Sequence, residues 1–359
     1  MTRRPQSKFS IGFARAAAFV LAPIAITTAS LFLAAAPTPE VRLAAHRSRF
    51  VLPPAPSAAP PAASGSVAPE GRADAHLDRS GSSPVGPGVL FVPSSFHSAD
   101  GLFDLLVFFH GNTDLVAQSV AAAGLNALVL VVNVGTGSGA YEAHYGASAL
   151  FPHELRRVAE IVSSRGLVDA RLGRLALGAW SAGYGAVLRL LEQQSRRSKE
   201  PGATSAKNVS AVLLADALHS NLKDPYSRDV DLERIAPFVQ FAQEAAAGDK
   251  LFVMTHSEVN EFRYATTTEA ANALIRVVGA YRERATDWPD RPIFPLARKV
   301  MAQTSWLEQR SEAHKGHFHV RGYRGEREDD HIAHLAQISE TLLADLVTYW
   351  SPPKKKWRR

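Results

Sequence analysis

Ser181 lies in the stretch Leu175-Ala-Leu-Gly-Ala-Trp-Ser-Ala-Gly-Tyr-Gly-Ala-Val187. The run Leu175–Trp180 ahead of it is apolar and of strand length. Behind it come Ala182, Gly183, Gly185 and Ala186, all small, with Tyr184 the exception. Val187-Leu-Arg-Leu-Leu-Glu192 then begins a helical pattern. A strand that turns sharply into a helix with serine at the apex presents the hydroxyl above the sheet, and its strained backbone tolerates only small neighbours. The usual pattern of such a turn is G-x-S-x-G; here Ala179 stands at the first position. The chemistry open to this serine is nucleophilic attack on a carbonyl. It needs an imidazole to take the proton, a carboxylate to hold the imidazole, and two N–H donors for the developing oxyanion.

Those partners must arrive on elements that converge on the serine. Short apolar runs alternate with helical patterns from residue 89 onward: Val89–Pro93, Leu105–Asn112, Leu128–Val134, Arg174–Trp180, Ala211–Asp216, Lys250–Ser257 and Phe318–Tyr323 read as strands. Helices are expected around Leu155–Val162, after Ser181 to about Gln194, over Leu232–Ala247 and Glu269–Tyr281, and from Ile332 to Trp350. This alternation specifies an α/β fold, a mostly parallel sheet with helices on both faces. Ligands of such sheets sit beyond the carboxyl ends of the strands. The strand ends deliver His110-Gly111-Asn112, Ser181, Asp216, the run Thr255–Glu258, and the loop Arg324–Asp330 ahead of His331.

The His-Gly-Asn strand end, the elbow at Ser181 and the chain order serine, acid, histidine resemble the α/β-hydrolase superfamily over about residues 89–350, with secreted serine esterases and polyester depolymerases the nearest type. The resemblance implies that Ala182 and Asn112 supply the oxyanion donors through their main chain. It places the base just ahead of the final helix, where His331 stands, with His334 one turn further as the alternative. The acid in most members follows the strand that ends near Ser257, which offers Glu258. In others it closes the strand before, which offers Asp216. An acid closing a buried apolar strand needs a partner to offset its desolvation, and an imidazole would be one, so Asp216 is preferred with Glu258 as the alternative. His110 is expected to hold its loop rather than move protons, and Tyr141 and Tyr145 to contact substrate. His314, His317 and His319 invite a metal reading, but no carboxylate accompanies them at ligand spacing, so no metal and no cofactor is expected.

Composition bounds the rest. The chain has 359 residues, 46% hydrophobic and 21% charged, as soluble globular proteins do. The absence of cysteine excludes disulfides, thiolate metal sites and a cysteine nucleophile. The formal charge of +6 is concentrated at the ends, in Arg3, Arg4, Lys8 and the tail Lys354–Arg359, so no nucleic-acid partner is expected. Residues 1–36 read as a signal peptide or an uncleaved signal anchor: basic residues precede an uncharged run, 16–36, that approaches the length of a membrane span. Residues 37–88, rich in Pro, Ala, Ser and Gly, read as a disordered tether. A hydrolase domain over 89–350 and a basic tail over 351–359 complete the chain. The expected protein is therefore exported, extracellular or periplasmic, and tethered to the membrane where the anchor stays uncleaved. It would cleave carboxylic esters of a small or polymeric substrate through an acyl-enzyme. The other readings are a non-catalytic surface-anchored binding protein of the same fold and a serine peptidase.

Overall fold

Why the sequence yields one sheet is visible in its buried strands. In a computed structural model, described over residues 71–197, 209–224, 226–260, 262–285, 295–301 and 306–351, the apolar runs become neighbours in a ten-stranded sheet. The elements in chain order are β1 Ser82–Val85, β2 Gly88–Phe91, β3 Leu102–Phe109, α1 Thr113–Ala122, β4 Leu128–Val132, α2 Ser138–His144, α3 Leu150–Ser164 and β5 Arg171–Trp180. There follow α4 Tyr184–Arg197, β6 Val209–Ala215, the small hairpin β7 Leu222–Asp224 and β8 Asp229–Val230, α5 Ala236–Ala247, β9 Leu251–His256 and α6 Thr267–Val278. The remainder is β10 Arg282–Arg284, α7 Pro295–Met301, β11 Glu308–Lys315, β12 Phe318–Arg324, α8 Glu328–Ala336 and α9 Ala344–Trp350.

The strand order is β1-β2-β4-β3-β5-β6-β9-β12-β11-β10. From β4 to β12 every pairing is parallel, while β1 and β2 at one edge and β11 and β10 at the other run antiparallel. Central strands are buried on both faces, which is why they read as continuous apolar runs. Leu105, Val107 and Phe109 point into a core beneath α3, α4, α5 and α6. Leu106 and Phe108 point into a second core beneath α1, α7, α8 and α9.

Two expectations change. Residues 71–88 are not tether: β1 extends the sheet beside β2, and Ala73, Leu77 and Val85 are buried. Residues 71–88 therefore belong to the folded domain that was expected to begin at 89. Ser82-Ser-Pro-Val85 is too short and too polar to announce itself as a strand. The closing helix is also broken: α8 ends at Ala336, a π-helical turn spans Ser339–Leu343, and α9 completes it. The segments 1–36 and 37–70 and most of the basic tail lie outside the described residues. Among the described residues, no helix is long and apolar enough to cross a membrane.

Candidate active site

The parallel strands end on one edge, and strain concentrates there. Non-glycine residues with positive φ are rare. Among the described residues five occur, and three of them, His110 (φ 69°), Ser181 (φ 50°) and Asp216 (φ 44°), directly follow β3, β5 and β6. At the elbow, Gly183 lies against the Phe109 carbonyl of β3, and a Cβ there would overlap that oxygen. Gly185 likewise lies against the Ser138 carbonyl, where a Cβ would come within 2.5 Å of the oxygen. The second small position of the A-x-S-x-G motif is thus a backbone-contact requirement. Ala179, at the first, sits wholly buried in β5 and its methyl is accommodated.

Asp216 closes β6 with almost no exposure and is saturated with donors. Its Oδ1 accepts from Ser257 N at 2.8 Å and Thr267 Oγ1 at 2.6 Å. Its Oδ2 accepts from Ser257 Oγ at 2.7 Å and lies 2.7 Å from His331 Nδ1. Burial opposes ionisation, but the His334 and His331 imidazoles and the hydrogen bonds from His331 and Thr267 hold the carboxyl far below the usual carboxylate range. A carboxylate fixed on Nδ1 sets the tautomer of His331 and leaves Nε2 as the proton acceptor.

His331 sits in the first turn of α8, its side chain 22% exposed. Gly325, with φ 147°, gives the tight turn that brings α8 to the sheet edge, packed against Asp330. Trp180, the residue before Ser181, stacks on the His331 ring at 4.8 Å, and its indole N–H donates to the His331 carbonyl at 3.0 Å. The same indole stacks on His110 at 5.2 Å. His110 Nδ1 lies 2.9 Å from the Tyr141 hydroxyl, and burial together with the nearby His331 holds His110 below its ordinary pKa. A neutral, hydrogen-bonded ring is a brace for the loop.

The structure brings Ser181, Asp216 and His331 to one edge and sets the alternatives apart. The exposed Glu258 makes no pair with His331; its main-chain N–H anchors the Gly325 carbonyl at 2.8 Å. His334 is fully buried, its Nδ1 2.8 Å from Thr255 Oγ1, and burial pushes it down to about 4. It is sealed from substrate, packed edge-on against the buried Tyr323 ring at 5.3 Å. Asn112 caps α1, its side-chain oxygen accepting from Leu115 N at 2.9 Å. Ala182 borders the open cavity.

Tyr141 and Tyr145 require correction. Both are fully buried: Tyr141 holds His110, and the Tyr145 hydroxyl donates to Glu154 Oε2 at 3.1 Å. Residues 138–144 form a helix rather than an open loop, and its spacing turns 141 and 145 inward while 138 and 142 face the cavity. That cavity, about 450 Å³ beside Ser181, is walled by Ser138, Glu142, Tyr184, Asn221, Arg234 and Tyr264, with His219 and Ser220 behind. His219, three residues beyond Asp216 in the sequence, belongs to this lining. Ser257 and Thr267, which hold Asp216, were missed, because nothing in sequence marks a hydroxyl that points at a carboxylate. His314 and His319 face each other across β11 and β12 at the amino end of β12, the opposite end from Ser181.

The parallel sheet, the elbow after β5, the His-Gly-Asn loop after β3 and the order serine, acid, histidine define the α/β-hydrolase fold. No protein-family model and no curated protein sequence matches the chain. Among solved structures, a glucuronoyl esterase from Solibacter usitatus is similar at 12% identity over 75% of this chain and 79% of its own, with a TM-score of 0.33. Zea mays acyl-protein thioesterase 2 is similar at 14% identity over 53% of this chain and 84% of its own, TM-score 0.28. A membrane phospholipase A, described as a bacterial virulence factor, is similar at 11% identity over 56% and 77%, TM-score 0.27. Likenesses this distant carry no argument about activity, which rests on the site itself.

Proposed function

We propose that the protein is a serine hydrolase that cleaves carboxylic esters through an acyl-enzyme. The observation that carries this reading is the 2.7 Å contact between His331 Nδ1 and a buried, ionised Asp216, on an imidazole stacked against the residue that precedes Ser181. Ser181 Oγ attacks the ester carbonyl as its proton passes to His331 Nε2. The oxyanion is received by the main-chain N–H groups of Ala182 and Asn112. Removing one such donor typically costs about 3–4 kcal/mol of barrier. Collapse breaks the C–O bond, and His331 returns the proton to the departing alcohol. Water, deprotonated by His331, then releases the carboxylic acid and restores Ser181. The test is steady-state hydrolysis of short p-nitrophenyl esters by the wild type and by Ser181→Ala and His331→Ala. Turnover that survives either substitution contradicts the reading.

The same proposal includes export: the basic start and apolar run 16–36 direct the domain across a membrane. Amino-terminal sequencing of the mature protein tests this. A start near Pro37 means cleavage, an intact start in the membrane fraction means anchoring, and an intact start in the cytosol refutes it.

A further inference from the structure

The cavity beside Ser181 is unlike a channel for a fatty acyl chain. Among the described residues that wall it, no aliphatic side chain is larger than that of Ala182. An alkyl chain placed there would bury no apolar surface against a matching wall, so it would gain little of the hydrophobic term that normally retains it. The wall is instead polar and aromatic. Glu142 accepts two hydrogen bonds from Arg234 Nη2, at 2.6 and 2.7 Å, and pairs with Arg189 at 3.1 Å; Arg189 in turn pairs with Glu192 at 2.7 Å. Two arginines and two glutamates cancel in charge, so the cavity offers donors and acceptors without a net field for an ion. Both Arg234 bonds leave from one nitrogen, and the guanidinium fork carries further N–H donors. On the other side His219 links two tyrosines, packing at 5.9 Å against Tyr184 and edge-on at 5.0 Å against Tyr264. Aromatic faces with polar tips, beside neutralised charges and the Asn221 amide, suit a ligand with a C–H face and a rim of hydroxyls.

We infer that one partner of the scissile ester, its acid or its alcohol, is a neutral polyhydroxylated ring, making this a carbohydrate esterase rather than a lipase. The inference rests on the hydrolase reading above and specifies the substrate of that site. A cavity of about 450 Å³ is of a size to enclose a ligand of one or two rings.

Four probes test it: an acetylated methyl pyranoside, the methyl ester of a sugar acid, and hexyl acetate and methyl hexanoate as aliphatic counterparts. p-Nitrophenyl acetate reports the chemistry alone. The expected result is a kcat/KM for at least one sugar ester at least tenfold above its aliphatic counterpart. Tyr264→Leu and Asn221→Leu should each lower the ratio of sugar-ester to p-nitrophenyl acetate turnover at least fivefold. Aliphatic esters equal to or better than both sugar esters, with p-nitrophenyl acetate turned over, overturn the inference and leave the hydrolase reading standing. If nothing is turned over, saturation-transfer NMR of the folded protein with a methyl pyranoside against cyclohexanol decides separately. Selective transfer to the sugar supports the cavity assignment, and its absence overturns it.

Discussion

Glu154 offers a prediction whose size comes directly from the structure. It is buried at the inner face of α3, bonded through Oε2 to the Tyr145 hydroxyl, while Oε1 has no hydrogen-bond partner. His144 Nε2 lies 3.9 Å from Oε1, too far for a hydrogen bond, and is likewise unsatisfied. Burial therefore dominates and pushes the carboxyl from 4.5 up to about 7. Since the folded protein holds this proton more tightly than the unfolded chain, stability is lost as pH rises from 4.5 and the loss levels off above 7. At about 1.4 kcal/mol per pH unit, the rise from 4.5 to about 7 gives a full penalty of about 3.5 kcal/mol, and partial hydration trims it to about 2–3. Glu154→Gln keeps an acceptor for Tyr145 and leaves no charge to bury. Urea denaturation followed by circular dichroism at pH 4.5, 6 and 8 should find the variant about 2–3 kcal/mol more stable at pH 8, with the gain vanishing near pH 4.5. The difference between the two proteins is the quantity to read. His256 and His334, pushed down to about 4 by burial, lower the stability of both as pH falls below 6.5. A gain independent of pH, or a variant less stable at pH 8, would refute the reasoning.

Further outcomes follow from the same contacts. Asp216→Asn should lower kcat on the order of 10⁴-fold while Glu258→Gln stays within about twofold, because only Asp216 bonds the His331 ring; equal losses in p-nitrophenyl ester kinetics would contradict the assignment. Ser257→Ala removes the hydroxyl's hydrogen bond to Asp216 and should cost about 1.5–3 kcal/mol of stability with a reduced kcat, read by denaturation and initial rates. Because the main-chain bond persists in that variant, a loss at the lower end is expected. Ala179→Gly, which creates a G-x-S-x-G elbow, should cost about 0.5–1 kcal/mol and keep activity, whereas Gly183→Ala should cost about 3 kcal/mol or more because its methyl meets the Phe109 carbonyl. Denaturation midpoints of the two variants check this, and the reverse order would be inconsistent with the elbow geometry.

The core strands were legible because burial on both faces forces continuous apolar runs, as in Leu105–Phe109 and Leu128–Val132. Strands toward the margins of the sheet obey no such constraint. β11, Glu308-Gln-Arg-Ser-Glu-Ala-His-Lys, pairs on both sides yet buries only Ala313, so its residues look like a loop. β1 was lost for the same reason. At the site, the residues that close strands were readable because topology sends them to one edge, and Asp216 was separable from Glu258 by the cost of burying a carboxylate alone. Tyr141 and Tyr145 were misplaced because the Gly-rich segment 135–139 masks a two-turn helix whose inward face they occupy. The cavity wall was illegible for a different reason. Arg234 precedes α5, Tyr264 precedes α6 and Asn221 opens the β7–β8 hairpin, and only their packing around the elbow brings them together.

The central claim is that Ser181 is a nucleophile activated by the His331–Asp216 pair. It is tested most directly by intact-mass spectrometry after treatment with a fluorophosphonate, followed by peptide mapping. The account predicts a single adduct on Ser181 in the folded protein, abolished by Ser181→Ala and slowed by more than a hundredfold in His331→Ala. No adduct on folded protein, or an adduct at another residue that persists in Ser181→Ala, would contradict it.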